Sequence, residues 1–424
     1  MKVAFYLDKT GLEALDFSSF ESGNPGMGGS EYEFLLVSQL LCRAGGGISS
    51  ILLSRTRLPK EMVSDYVISL TDACSYCQRE SIDALVINQG EYERLPKVND
   101  RESLSIVLWA HNDIPKSRMK AICSDKTVKK VVFCGKEFFE YYYDHPIIRK
   151  STYIYNIFPI RHIDWYREKM ADRNNHNVVY MGAISHGKGF HLLAKAWPEV
   201  IKRIPDAQLY VIGSGRLYDK SAELGQYGIA SDDYEKLFMP YLLDEGGNIH
   251  SSVHFLGVLG NEKNDVLGRC KVGVPNPSGL TETFCITAIE MQLLGCSLTT
   301  IRHHAYLDTV FNKEYLYTRD TQLAEYIVKR FESSSDEYEE VYNFIAKRFS
   351  TERSLRRWQD MLCRLDNTSI EPYSGYAYHY KWLKAFLLRL KIACPFFNVL
   401  PSVEGAIAFG HRCKNKLNLI LKIC

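Results

Sequence analysis

Short apolar runs alternate with longer amphipathic stretches through most of this chain, the pattern imposed by parallel strands joined by crossover helices. The runs at 3–7, 51–53, 84–88, 105–109 and 130–133 predict strands, and 30–44, which follows a Gly-rich loop, predicts a helix. A polar stretch at 167–177 has little that a core could bury and predicts an interdomain linker. The alternation then restarts, with strands expected at 178–181, 208–212, 253–256, 272–274 and 298–301 and a helix at 190–203. Residues 335–365 are helical in composition. The pattern therefore predicts two doubly wound α/β units, 1–166 and 176–365, followed by a tail at 371–424.

The tail has a different character. At 100° per residue, 381–391 gathers Trp382, Leu383, Phe386, Leu387 and Leu390 on one face of a helix, with Lys381, Lys384 and Lys391 opposite. Further on, a basic cluster from His411 to Lys416 precedes LNLILKIC. The tail carries eight Lys and Arg against two Glu, which suits an anionic membrane surface as well as it suits packing on the protein itself.

Composition narrows the class. A chain of 424 residues is too long for one ordinary core, and its 46% hydrophobic and 24% charged content is that of a globular enzyme. A net charge of +2 gives no support for nucleic-acid binding. The twelve cysteines are scattered and mostly in apolar contexts, which fits reduced thiols in a cytosolic protein. Cys74 and Cys77 form a CxxC without a second pair or a nearby His at zinc spacing. The opening MKVAFYLDKTGLEALDF turns polar by Asp8 and is not expected to act as a signal peptide, and no apolar run reaches the length of a membrane span.

Candidate chemistry collects where strands should end. NPSGLTETFCITAIEM (276–291) places Glu282 and Glu290 eight positions apart across the expected start of a helix. Free N–H groups near Phe284, Cys285 and Ile286 would suit a diphosphate between two acids that bind hydroxyls. Thr281 or Thr283 could cap that helix, and both acids could be ordinary surface residues. Gly28 and Gly29 open the helix at Ser30, Lys188 lies on a Gly-bounded turn before 190–203, and Gly213, Gly215 and Arg216 follow the strand at 208–212. His111 comes directly after the strand at 105–109. Ligands of such sheets bind at this carboxyl edge.

GMGGSE, GAISHGKGF, IGSGRL, VHFLGVL and SGLTETFCITAIEMQLLGC, in this order over about residues 1–365, resemble the retaining glycosyltransferases of family 4. The most specific element is the Glu, seven residues, Glu pattern of Glu282 and Glu290 beside ETFC, where many relatives have EGFG. The resemblance implies a GT-B fold: two Rossmann-like doubly wound domains facing a cleft, the second holding the donor. It implies that Glu282 binds hydroxyls of the transferred sugar and Glu290 the ribose. Lys188 would hold the diphosphate, the backbone of Phe284, Cys285 and Ile286 the phosphate or sugar, and Gly257, Val258 and Leu259 would lie near the base. Gly28 and Gly29 would close over the phosphates, and His111 would approach the sugar on the acceptor side.

The family generally needs no metal, so none is expected here, and no cofactor beyond the nucleotide-sugar substrate. Relatives commonly carry Arg where this chain has Ala183; Arg216 or His186 could supply the missing cation. The expected protein is a cytosolic, membrane-associated transferase acting on a glycan or lipid-linked saccharide, with acceptor contacts on loops such as 55–64 and 113–118. Ala183 supports an alternative, a non-catalytic GT-B subunit that binds a nucleotide sugar or glycan within an assembly complex.

Overall fold

The computed structural model describes the chain except residues 14, 102, 172–174, 218–220, 333–336, 374–379, 404, 408–409 and 411–424, and the side chains of Asn99 and Pro395. Two compact units emerge: 1–13, 37–155 and 355–424 form the first, and 14–36 with 156–354 the second. The division is not one cut at a polar linker. Residues 14–36 group with the second unit, and the chain beyond 354 returns to the first.

The first part of the chain runs β1 (Lys2–Leu7), α1 (Gly29–Ala44), β2 (Ser49–Ser54), β3 (Ser64–Tyr66), α2 (Leu70–Arg79), β4 (Ala84–Asn88), β5 (Ser105–Ala110), α3 (Lys116–Ser124), β6 (Val128–Phe133), α4 (Lys136–Tyr141) and β7 (Ser151–Tyr153). Its seven strands are parallel in the order β3-β2-β1-β4-β5-β6-β7. Val3, Phe5, Val86, Val107 and Val132 are fully buried, as expected for strands covered on both faces. The short edge strands β3 and β7 escape sequence reading because SDY and STY carry no apolar alternation.

The second part runs α5 (Ile163–Lys169), β8 (Asn177–Met181), α6 (Phe190–Arg203), β9 (Gln208–Ile212), α7 (Asp232–Phe238), β10 (Val253–Gly257), α8 (Lys263–Gly268), β11 (Val272–Gly273), α9 (Ile286–Leu293), β12 (Ser297–Leu298), β13 (Thr300–Ile301), α10 (His304–Thr309), β14 (Leu316–Tyr317), α11 (Leu323–Phe331), α12 (Tyr338–Phe349), α13 (Thr351–Leu362) and α14 (Lys381–Ala393). Five parallel strands lie in the order β10-β9-β8-β11-β12, and β13 pairs with β14 apart from them. Trp197 of α6 is buried in this unit's core, its indole N–H donating to Ser252 Oγ at 2.9 Å.

Three sequence expectations change. The stretch at 167–177 is not a free linker. Lys169 pairs with Asp265 at 2.9 Å, Ala171 N–H donates to the Gly268 carbonyl, and a side chain at Gly268 would meet the Lys169 carbonyl at 2.0 Å. The helical stretch at 335–365 breaks at Ser350, whose extended backbone separates α12 from α13. Indole packing holds α13 to the first unit, where Trp358 lies edge-on to Trp109 and Phe5.

The third narrows an open choice: of the two faces of α14, the lysine face is the one that packs on the protein. Lys384 is fully buried, its ammonium donating to the carbonyls of Glu140 and Tyr141 at the C-terminal end of α4. Helix C-termini leave carbonyls free and carry partial negative charge, which is what an inward lysine requires. Lys391 is buried 3.7 Å from Asp144. The cluster from His411 to Lys416 lies outside the described residues.

Candidate functional site

In the second sheet the order reverses around β8, which has β9 on one side and β11 on the other. The loops leaving β8 and β11 carry Lys188 and Glu282, so both stand at the switch point where such sheets bind ligands. Lys188 Nζ lies 2.9 Å from Glu282 Oε2, with both side chains mostly sheltered. Asn276 Nδ2 donates to the same carboxylate at 3.0 Å and to the Leu280 carbonyl at 2.9 Å. Tyr306 in turn donates to the Asn276 carbonyl, and Ser278 Oγ donates to the Gly187 carbonyl at 3.1 Å, tying the two loops together. The Glu282 carboxylate is thereby held by two groups, Lys188 from the loop after β8 and Asn276 from the loop after β11.

Glu282 does not belong to a helix. The helix α9 starts only at Ile286, and its N-cap is Cys285, with φ 54° and no side-chain cap bond. Neither threonine caps it. A positive φ is costly for a residue with a Cβ and free for glycine, which accounts for the glycine that EGFG relatives place there. Thr281 also has a positive φ, of 57°, so two strained residues bracket Glu282. Burial, followed by the nearby Glu282 charge, pushes the Cys285 thiol up, which leaves the residue a backbone role rather than a nucleophilic one. The first N–H groups of α9 have no partner within the helix and carry its positive dipole end.

Glu290, one turn into α9, is paired with Lys263 of α8. Sequence reading missed Lys263, since a lysine in NEKND shows no spacing signal and becomes legible only once α8 packs beside α9. Gly257 has φ 69°, and Val258, just past β10, is 61% exposed at the sheet's carboxyl edge with Leu259 half-buried behind it. Gly213 (φ 140°) lets two loops meet, because a Cβ there would sit 1.8 Å from the Gly182 carbonyl. Gly215 N–H bonds the Ile229 carbonyl. Arg216 uses Nε on the Ala222 carbonyl at 2.8 Å.

Ala183 is buried, and its carbonyl accepts from Tyr180. His186 stacks on His191 at 5.0 Å and helps line a cavity of about 440 Å³ together with Ser278, Leu280, Thr318 and Asp320. His186 thus lies beside Ser278 of the loop that carries Glu282, and Arg216 is exposed apart from its Nε contact. Among the described residues no group of three or more His, Cys, Asp or Glu could hold a metal ion.

Gly28 and Gly29 belong to the same compact unit as Glu290, and α1 begins at Gly29. The Glu31 carboxylate curls back over Gly28. Burial, then the charges of Glu33 and Glu290, push the Tyr32 hydroxyl up, and it donates to the Phe20 carbonyl at 2.7 Å. Glu33 is fully buried and accepts from Ile157 N–H at 3.0 Å; burial pushes its carboxyl up to about 8.

In the first unit, His111 is buried, 7% exposed, against Trp109 at 4.6 Å rather than open to solvent. A charged cluster that sequence did not single out occupies this sheet's carboxyl edge. Asp8 pairs with Arg55 at 2.9 Å and also with Arg94, which in turn pairs with Glu91. Burial works to raise Asp8, but hydrogen bonds from Arg55, Arg94 and Tyr6 outweigh it and hold the carboxyl low. Cys74 and Cys77 lie buried in α2, their thiols pushed up by burial to about 11 and about 12, which argues against redox chemistry.

Residues 175–332 match the family of glycosyl transferases, group 1. That stretch contains Lys188, Glu282, Glu290 and Lys263. No curated protein sequence matches the chain. Among solved structures, HepE from Anabaena in complex with UDP is similar at 15% identity and a TM-score of 0.59, over 86% of this chain and 100% of that one. Sucrose-phosphate synthase from Thermosynechococcus elongatus is similar at 14% identity and 0.61, over 87% and 100%. WaaG, a glycosyltransferase involved in lipopolysaccharide biosynthesis, is similar at 14% identity and 0.55, over 85% and 100%. The two Rossmann-like parallel sheets, of seven and five strands, are those of the GT-B fold.

Proposed function

We propose that the protein is a retaining glycosyltransferase of family 4 that moves a sugar from a nucleoside-diphosphate sugar to a glycan or lipid-linked saccharide. The observation that carries this is the Lys188–Glu282 pair beside the N-terminus of α9, within the stretch that matches group 1 transferases. Without donor the two side chains neutralise each other. A diphosphate offers Lys188 a stronger anion, and Glu282, released from its partner, is free to accept hydroxyls of the sugar. Glu290 binds the ribose in the same way, with Lys263 as the partner it shares.

In the transfer step the bond from the anomeric carbon to the β-phosphate oxygen breaks and its electron pair leaves with the nucleoside diphosphate. The acceptor oxygen bonds to the same face of that carbon, and its proton passes to a leaving-phosphate oxygen. Lys188 and the helix end supply the positive charge for the leaving group, so the reading assigns no metal and no protein nucleophile. His111 is assigned to the acceptor side, as are the loops at 55–64 and 113–118. The structure of HepE with UDP favours uridine diphosphate as the first probe. The proposed location is the cytosol, at the inner membrane face through 371–424; among the described residues no helix is long and apolar enough to cross a membrane.

Ala183 keeps a second reading, a non-catalytic subunit that binds nucleotide sugar or glycan. A thermal-shift panel of nucleotide sugars, followed by transfer assays on the hits, separates the two. Stabilisation by a donor with turnover supports the transferase. Stabilisation without transfer or hydrolysis, with any acceptor tried, supports the subunit.

A further inference from the structure

The helix α14 and the turn after it present an apolar surface to solvent. Trp382 is 70% exposed, Phe386 57%, Phe396 74% and Val399 75%, and Ile392 adds to them at 37%. This surface exists because the helix is inverted. Lysines are ordinarily the outward residues of an amphipathic helix, yet Lys384 and Lys391 are buried here. Each has a reason to stay inside. Lys384 meets the carbonyls that end α4, and Lys391 meets Asp144, which also accepts the Val403 N–H at 2.8 Å. These contacts fasten both ends of the segment, and no rotation of α14 can hide the aromatic residues without breaking them.

The chemistry of the exposed face selects its partner. Its large members are two phenylalanines and a tryptophan, with Lys381 and Arg389 exposed among them. From 381 to 400 there is no acidic residue, and the tail as a whole carries eight Lys and Arg against two Glu. Aromatic rings with flanking cations are the residues that settle at a lipid headgroup boundary, and the cations match anionic lipid. A second protein would gain from the rings but would need its own acidic patch, whereas an anionic bilayer supplies both features over an unlimited area.

We propose that Trp382, Phe386, Phe396 and Val399 insert into an anionic bilayer while Lys384 and Lys391 hold α14 to the first unit. This rests on, and deepens, the reading of 371–424 as a membrane-binding tail. The buried lysines act as clamps, not as lipid ligands, so the tail docks the first unit in a fixed orientation instead of tethering it loosely. Insertion of rings also predicts only partial sensitivity to salt, because apolar transfer is not screened.

The test uses the full chain with vesicles of phosphatidylcholine containing about a third phosphatidylglycerol. Replacing Trp382, Phe386 and Phe396 together by Ala is expected to weaken vesicle binding at least about 100-fold. Lys381→Gln with Arg389→Gln is expected to weaken it about tenfold, mainly at low salt. Brominated lipid should quench fluorescence of the wild type more than that of Trp382→Phe. Unchanged binding by the triple variant, equal quenching, or wild-type self-association through this face without vesicle binding overturns the proposal. UDP binding and sugar transfer, measured without vesicles, fail separately. A protein that inserts but transfers nothing sinks the transferase and leaves this surface standing.

Discussion

Lysines play opposite parts in the two units. In the second, Lys188 and Lys263 keep some access to solvent and each faces a glutamate, Glu282 in the loop before α9 and Glu290 one turn into it. In the first, Lys384 and Lys391 are sealed against backbone carbonyls and Asp144. In the proposed reading a ligand can replace the glutamate partner of Lys188, whereas nothing can reach the partners of Lys384 and Lys391. Charge and residue type are the same in both cases.

The largest effect expected from this contrast is on catalysis. Lys188→Ala or Glu282→Ala should lower sugar transfer by about 100-fold to 1,000-fold. Thermal stability should fall only modestly, because the pair, 18% and 13% exposed, keeps some access to solvent and Asn276 still holds the Glu282 carboxylate when Lys188 is removed. A collapse of stability in either variant would make the pair structural and erase the contrast.

The converse holds in the tail. Lys391→Ala leaves Asp144 buried with an uncompensated charge and should cost about 3 kcal/mol of stability. Lys391→Met should cost less, because it keeps the packing, and neither variant should change donor affinity. Denaturant unfolding with a parallel UDP titration reads both quantities.

How far these roles were legible in the chain varies by residue. Alternation exposed most central strands, because a strand buried on both faces needs an unbroken apolar run. It did not expose β3 or β7, and 298–301 proved to be two short strands in different sheets. The positions of Glu282, Glu290 and Lys188 near one sheet edge, as distinct from their proposed roles, were legible through motif spacing. Lys263, Asn276 and the cluster of Asp8, Arg55 and Arg94 were not, since only tertiary packing brings them to a carboxylate or to a sheet edge. The orientation of α14 stayed open for a physical reason: a helical projection shows which residues share a face, but it cannot show that the end of α4 offers carbonyls to a lysine.

A smaller effect concerns pH. Glu33 has its carboxyl raised to about 8, above its unfolded value, so folding takes up a proton between those two values. Stability is therefore highest below the unfolded value and is lost as pH rises towards about 8. Glu33→Gln, which can still accept from Ile157 N–H, should flatten this slope, and at pH 8 it should melt above the wild type. Equal slopes in the two proteins would show that Glu33 does not carry the extra proton.

The smallest effect is at Lys263. Lys263→Ala should raise KM for the donor by about threefold to tenfold and leave kcat close to wild type, as expected when a residue supports ribose binding without touching the reacting bond. An equal loss in kcat would move Lys263 from the ribose to the leaving group.

In the proposed mechanism Lys188 exchanges Glu282 for a diphosphate. Calorimetric titration of UDP into the wild type and Lys188→Ala tests it most directly. Binding by the wild type and at least about tenfold weaker binding by the variant, a difference of about 1.4 kcal/mol, are expected. Equal affinities in the two proteins would contradict it.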